Sequence, residues 1–308
     1  MNSKNNPLLN IEDLTVSFSM YDRGLEKRPL EVIHSLSLQV KKGEILAVAG
    51  SSGSGKSLLA HAVLGILPGN AQVSGKIEYE GRLLDAERQA KLRGNEIAFI
   101  PQSVDYLDPL MKTGRQVRGV RGTIEKLKKA FKRYDLDESV EELYPFQLSG
   151  GMARRALIST AVIGNSRLII ADEPTPGLEE AMAMETLAHF RELADQGCGV
   201  LLITHDIDLA FDVADRIAVF YAGTVLEECS AADFRAGGEA LRHPYSRAFA
   251  AALPQNDFKP IEGVQPYAGK LPQGCLFGPR CPYKTPECEG NIVMREVRGG
   301  EVRCIHAT

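Results

Sequence analysis

"GSSGSGKS", residues 50–57, follows the apolar run "EILAVAG" (44–50) and opens "KSLLAHAVLGIL" (56–67), where apolar residues recur at helical spacing until "PGN" ends the run. The eight residues fit G-x-x-x-x-G-K-[ST] between a strand and a helix, the setting that gives this motif its meaning. Glycines let the main chain wrap closely around phosphates, and the loop N–H groups with the helix N-terminus supply fixed partial positive charge. The stretch therefore predicts an ATP-binding phosphate loop made of Gly50, Ser51, Ser52, Gly53, Ser54, Gly55, Lys56 and Ser57. Lys56 would reach the β and γ phosphates, and the Ser57 hydroxyl would ligate Mg2+.

Working outward, "LLNIEDLTVSFSM" (8–20) and "LEVIHSLSLQV" (30–40) read as strands, as do "KIEYEG" (76–81) and "EIAFIPQ" (96–102). Residues 103–144 turn polar and basic with a helical look, as in "GTIEKLKKAFKRYD" (122–135). Strand-like runs return at "RLIIADE" (167–173), "GVLLITHD" (199–206) and "RIAVFYAG" (216–223), separated by the helical stretches 177–196 and 207–214. Strands alternating with helices imply an α/β domain with parallel pairing and both sheet faces covered, and the polar helical segment reads as an insertion. Past residue 229 the pattern changes to one short helix, "HPYSRAFAAALP" (243–254), and then to Pro, Gly and Cys.

Two further stretches carry chemistry. "LIIADE" (168–173) is an apolar strand ending in two acids, which puts both carboxylates at the C-terminal edge of a sheet. Asp172 is then a candidate Mg2+ partner and Glu173 a candidate base for the attacking water. "LSGGM" (148–152) starts a helical run, so Ser149, Gly150 and Gly151 offer a hydroxyl and unobstructed N–H groups at a second helix N-terminus.

Composition sets the outer bounds. The 308 residues, with 44% hydrophobic and 25% charged, are ordinary for a globular chain of about two domains. A net charge of −4 gives no basic footprint, so nucleic acid is not an expected partner. "MNSKNNPLLN" lacks a signal-peptide core, and no run approaches the roughly 18 apolar residues that cross a bilayer. The expectation is a cytosolic chain with reduced thiols.

Taken together, "GSSGSGKS", Gln102 in "FIPQS", "YPFQLSGGM", "LIIADEPT" and His205 in "LLITHD" resemble the ATP-binding-cassette ATPases, in this order and at suitable distances. The resemblance implies a P-loop NTPase with a mixed sheet, an antiparallel β subdomain and a helical insertion (103–148) within an ATPase domain at 8–254. A Cys-rich extension would follow at 255–308. It further implies that Phe18 stacks on adenine, that Gln102 contacts Mg2+ and the attacking water, and that His205 senses the γ-phosphate. Ser149, Gly150 and Gly151 would bind the ATP held by an opposite subunit, so two cassettes would close face to face over two ATP molecules. One departure stands out: after "DEPT" the family usually continues with a small residue, Ala, Leu and Asp, whereas this chain has Pro176, Gly177, Leu178 and Glu179.

"HPYSRAFAAALP" followed by "GCLFGPRCP" resembles the C-terminal extension of the peptide/nickel subgroup of importer ATPases. That resemblance implies a peripheral protein on the cytoplasmic face of the membrane. Its partners would be a related second ATPase (or a second copy), two membrane-spanning permeases and an extracellular binding protein. The short interval from Gln102 to Leu148 leans the expected substrate towards nickel, free or chelated, with di- or oligopeptides close behind. The rival reading is a soluble nucleotide-switched protein that clamps a cytosolic partner and senses metal or redox state through its tail.

Cys275, Cys281, Cys288 and Cys304 follow C-x5-C-x6-C-x15-C, which is neither the C-x2-C pairing of zinc ribbons nor a ferredoxin run. Spacing alone leaves Zn2+, an iron–sulfur cluster and scattered structural cysteines open. The resemblance favours a [4Fe-4S] cluster on these four, with Zn2+ as the alternative. Cys198 reads as a buried strand-edge thiol and Cys229 as a loop residue.

Overall fold

The computed structural model of the chain describes residues 7–21, 26–51, 53–119, 122–253, 256 and 258–308. In chain order its first strands are β1 (Leu9–Tyr21), β2 (Lys27–Val40), β3 (Ile45–Gly50), β4 (Ala71–Tyr79), β5 (Arg82–Leu83) and β6 (Ile97–Ile100). There follow β7 (Leu168–Asp172), β8 (Gly199–Thr204), β9 (Arg216–Tyr221), β10 (Thr224–Ser230), β11 (Arg295–Val297) and β12 (Gly300–Val302). They divide between two compact units, one built from described residues within 1–40, 46–84 and 214–308, the other from those within 41–45 and 85–213.

The first unit holds an antiparallel sheet in the order β2-β1-β4-β5. It also holds strands in the order β11-β12-β10-β9-β3, of which β3 and β9 pair in parallel and the rest antiparallel. Every residue of β3, "ILAVAG", is buried, as a strand covered on both faces requires. Its last residue has to be glycine, because a Cβ on Gly50 would sit 2.3 Å from the Phe220 carbonyl oxygen on β9. The helix that follows, Lys56–Leu64, ends short of the residue 67 that periodicity predicts. Gly65 takes the left-handed conformation (φ 64°) and donates its N–H to the Ala62 and His61 carbonyls, which closes the helix.

The second unit is built on three parallel strands in the order β8-β7-β6, with β7 and β8 wholly buried. The described residues within 103–148 form 3-10 turns, a short helix Thr113–Arg118 and the amphipathic helix Ile124–Arg133, capped by the Thr123 hydroxyl. Its buried Leu127 and Phe131 pack with Val117, Leu136, Val140 and Ala156, which gives the insertion a core of its own. Ala156 belongs to the helix Gly150–Val162, so this core joins the insertion to the helix behind "LSGG".

The segment "RHPY" docks on the buried carboxylate of Glu227, with Asp233 as a second partner of its arginine. Glu227 on β10 is fully buried and accepts from the backbone N–H groups of Arg242 and His243, each at 2.8 Å. The Arg242 guanidinium reaches Glu227 (3.4 Å) and Asp233 (2.8 Å), so the buried charges are paired. His243 caps the helix Pro244–Ala251 by accepting from the Tyr245 N–H at 2.9 Å. Cys229 lies on β10, not in a loop, and is buried there opposite Ile217.

Burial pushes the His243 imidazole down from 6.5 to about 3, and that of His189 to about 4, with Arg133 adding to the second effect. A base with a lowered folded value is neutral in the native state, while the unfolded chain takes up a proton below pH 6.5. Stability is therefore full above that pH and falls as acid is added towards the folded values. Each histidine is expected to cost roughly tenfold in the folding constant per pH unit over that window. Denaturant melts of the protein and of His243→Gln between neutral and mildly acidic pH check this: the variant should show the shallower pH dependence.

Candidate active site

The first unit contains the phosphate loop. Gly53 (φ 74°) and Gly55 (φ 103°) take conformations that L side chains rarely adopt, and they turn the chain from β3 into the helix Lys56–Leu64. Lys56 is buried, and its Nζ donates to the carbonyls of Gly50 (2.8 Å) and Ser51 (2.9 Å). The Ser54 hydroxyl donates to the same Ser51 carbonyl at 2.8 Å. The ammonium is thus held within the loop, and the loop's own carbonyls fix its position. Ser57 is half-buried on the first helical turn, while Ser52 lies outside the described residues. Phe18 sits half-buried on β1, opposite Leu30 of β2 and Ala71 of β4.

The second unit contains the two carboxylates at the end of β7. Asp172 ends β7 and is buried, and Glu173 follows in a left-handed conformation (φ 47°), with its N–H donated to the Ile203 carbonyl of β8. A non-glycine residue in that region is uncommon and carries a backbone cost of about 1 kcal/mol or more, and such residues concentrate at functional sites. Both carboxylate oxygens of Glu173 are engaged: Oε2 accepts from Gln102 Nε2 at 2.7 Å, and Oε1 lies 3.2 Å from His205 Nδ1. The structure therefore brings Gln102, Glu173 and His205 together. Because the Gln102 amide nitrogen faces Glu173, its carbonyl oxygen is left for another partner.

Sequence reasoning missed Arg154. It lies on the helix Gly150–Val162, is buried, and donates Nη1 to the Pro101 carbonyl at 2.7 Å and Nη2 to the Glu173 carbonyl. One planar fork thus ties the residue before Gln102 to the main chain of Glu173. Burial pushes its guanidinium down, and the Asp172 and Glu173 charges oppose that. The signal was present in the sequence: Arg154 falls in phase with Leu157, Ile158 and Ala161, all on the buried side of the helix. A charge at a core position needs partners.

Ser149 is the N-cap of that helix, its hydroxyl accepting from the Met152 N–H at 3.3 Å, and Gly150 faces open space. Gly151 follows on the same turn, near the Gly177 carbonyl. Gly177 is left-handed (φ 83°), and Glu179 occupies the N-cap of the helix Glu180–Asp195 without accepting a hydrogen bond there.

All six cysteines are free thiols. Cys198 is buried beside β8 and its thiol is pushed up to about 12, and burial also raises Cys229, so both are inert. In the C-terminal region Cys288 and Cys304 are buried, and Cys275 and Cys281 half-buried. Burial pushes Cys275 up to about 11, with Cys304 and Cys281 adding to the effect, and raises Cys281 and Cys304 likewise. Cys288 Sγ lies 3.4 Å from His306 Nε2. Among the described residues no group of three or more His, Cys, Asp or Glu side chains is placed to hold a metal ion. The expected four-cysteine site is therefore not assembled by the side chains as they stand.

Residues 33–176 match the family described as ABC transporter, and residues 231–288 match that described as Oligopeptide/dipeptide transporter, C-terminal region. The chain belongs to the ATP-binding-cassette transporter ATPases, and the catalysis its family performs is ATP hydrolysis coupled to transport. Within them it is similar to the dipeptide transport ATP-binding protein DppD of Haemophilus influenzae, with 36% identity over 96% of this chain and 94% of that protein. It is also similar to the oligopeptide transport ATP-binding protein OppD of Escherichia coli, with 31% identity over 96% and 92%. The fold matches a dimeric ATP-binding cassette solved in a post-hydrolysis state with ADP and Pi, at 26% identity and a TM-score of 0.62, covering 72% of this chain and 98% of that one. These relatives lend no support to the lean towards nickel or to the soluble clamp. No helix among the described residues is long and apolar enough to cross a membrane.

Proposed function

We propose that this chain is the ATP-hydrolysing subunit of a peptide importer, with Glu173 as the base that activates water. The observation that carries the reading is the engagement of both Glu173 oxygens, one by Gln102 and one by His205. A carboxylate held in this way can accept a proton from a water while Gln102 and His205 orient the reacting groups. Lys56 and the N–H groups of the loop would neutralise phosphate charge, and Phe18 would support the adenine. The Ser57 hydroxyl, the Gln102 carbonyl oxygen and the Asp172 carboxylate are the oxygens that would hold Mg2+, whose preference is for such ligands. When bound, Mg2+ would withdraw charge from the transferring phosphoryl group.

Ser149, Gly150 and Gly151 would close on the nucleotide of a second cassette, a related ATPase subunit. The pair would work at the cytoplasmic face of the membrane beneath two permeases fed by a binding protein. The names of the dipeptide and oligopeptide relatives favour peptides over nickel as cargo. A strain lacking the chain is expected to lose uptake of labelled di- or oligopeptides and to keep nickel uptake; the opposite pattern overturns the peptide reading.

The [4Fe-4S] reading of the C-terminal cysteines rests on four free thiols, three of which feel the others' charge and are raised by burial. Binding to a cationic group would relieve both penalties and help fold a region with little core. Anaerobically prepared protein should be brown and carry iron with acid-labile sulfide. Stoichiometric zinc without iron assigns the alternative, and neither metal makes the cysteines structural.

A further inference from the structure

The C-terminal region reaches the phosphate loop. Ser51 and Gln265 are 214 positions apart, yet the Ser51 hydroxyl donates to Gln265 Oε1 at 2.8 Å. The same serine acts on the Tyr245 phenol, from the helix Pro244–Ala251, partly offsetting the rise to about 12 that burial imposes on it. Ser51 is also the residue whose carbonyl receives both Lys56 Nζ and the Ser54 hydroxyl. Its side chain is therefore held from the C-terminal region while its main chain holds the phosphate-binding lysine.

The segment bearing Gln265 is itself anchored by Arg280, the neighbour of Cys281. Arg280 donates Nε to the Glu262 carbonyl (2.7 Å), Nη2 to the Ile261 carbonyl (2.9 Å) and Nη1 to the Tyr221 hydroxyl (3.2 Å). Its guanidinium also lies over the rings of Tyr221 and Phe277, 5.9 and 5.8 Å from their centroids. Tyr221 packs at 4.4 Å between centroids on Tyr245, so the Arg280 cluster extends into the helix Pro244–Ala251.

We propose that Gln265 is a positioning residue for the phosphate loop, acting through Ser51, and that Arg280 links it to the four-cysteine region so that this region sets how tightly the loop holds ATP. The physical reason is conformational freedom. A loop with glycines at 50, 53 and 55 is costly to order around a ligand, and a restraint already present in the free protein removes part of that cost. The inference rests on the nucleotide reading of residues 50–57. It leaves the chemical step to Gln102, Glu173 and His205, which lie in the other unit and carry none of these contacts.

The test is a double-mutant cycle on the full chain with Gln265→Ala, Arg280→Ala and both together. ATP binding in the presence of Mg2+ is measured by calorimetry, steady-state KM and kcat by phosphate release, and folding by thermal melting. Each single variant is expected to raise Kd and KM by roughly three- to tenfold, the loss of about one neutral hydrogen bond, with kcat changed by less than about twofold. The double variant is expected to be no weaker than the weaker single, because both changes break one linkage. A folded Gln265→Ala chain that binds ATP as tightly as the unaltered protein overturns the proposal, and it decides alone if Arg280→Ala does not fold. Fully additive effects overturn the link through Arg280. Should the unaltered chain fail to bind ATP, or Lys56→Ala bind it equally well, the nucleotide reading itself falls, and the proposal with it.

Discussion

Glu173→Gln is expected to bind ATP with near-unchanged affinity and to hydrolyse it at least about a hundredfold more slowly, since general-base catalysis contributes about 10²–10⁴. The substitution is nearly isosteric, and its carbonyl oxygen can still accept the Gln102 amide hydrogen that now reaches Oε2 at 2.7 Å. The left-handed turn at Glu173 and its N–H bond to Ile203 belong to the main chain and should survive. What disappears is the negative charge and the capacity to take a proton from water. Binding should be spared because the phosphate loop lies on other residues, with Lys56 held by Gly50 and Ser51. Single-turnover hydrolysis alongside equilibrium nucleotide binding separates the two effects. Near-normal turnover would remove Glu173 from the base role.

The same substitution bears on the dimer. If the chain closes face to face with a second cassette, a variant that binds but does not hydrolyse should hold the closed state longer. Sedimentation with ATP and Mg2+ reads this directly: Glu173→Gln should shift towards dimer or stay bound to its partner, whereas Lys56→Ala should not. A Glu173→Gln chain that stays monomeric with ATP, with its related partner present, would count against the closing-dimer reading.

The phosphate loop was the most legible part of the chain because its signal is local. Glycines, lysine and serine at fixed spacing between a strand and a helix specify a main-chain conformation with little help from the rest of the fold. The β7 acids were legible for the same reason, since an apolar run ending in two charges marks a strand edge. Pairings that depend on long-range packing were not readable in this way. Nothing in the spacing of "EIAFIPQ" and "LLITHD" fixes which carboxylate oxygen each polar group will meet, yet Gln102 and His205 take one each. The contact between Ser51 and Gln265 spans most of the chain and leaves no periodic trace. Cys229 reads as a loop residue from the sequence, but Glu227 and Glu228 beside it are buried with partners and β10 runs through all three.

Arg154 follows the same logic, and its replacement is expected to have the second largest effect on turnover. Arg154→Ala removes the donor that joins the Pro101 and Glu173 carbonyls, leaving one buried and one part-buried acceptor without it. Unmet buried acceptors cost about 1–3 kcal/mol each, so the melting temperature should fall clearly while the chain still folds. Turnover should fall by roughly tenfold or more, because misplacing a reacting group by about 1 Å can cost about a hundredfold. ATP affinity should change little, since the hydrogen bonds lost are those to the Pro101 and Glu173 carbonyls. Arg154→Lys separates packing from geometry: it keeps a cation in the site but cannot form a fork to both carbonyls, so it should recover stability more than rate. A purely structural arginine would give the reverse, with kcat per folded molecule unchanged in both variants. That outcome, measured by active-site titration and single-turnover rates, would leave Gln102 and Glu173 placed by the parallel pairing of β6 and β7 and by the Glu173 N–H bond to Ile203, with no part for Arg154.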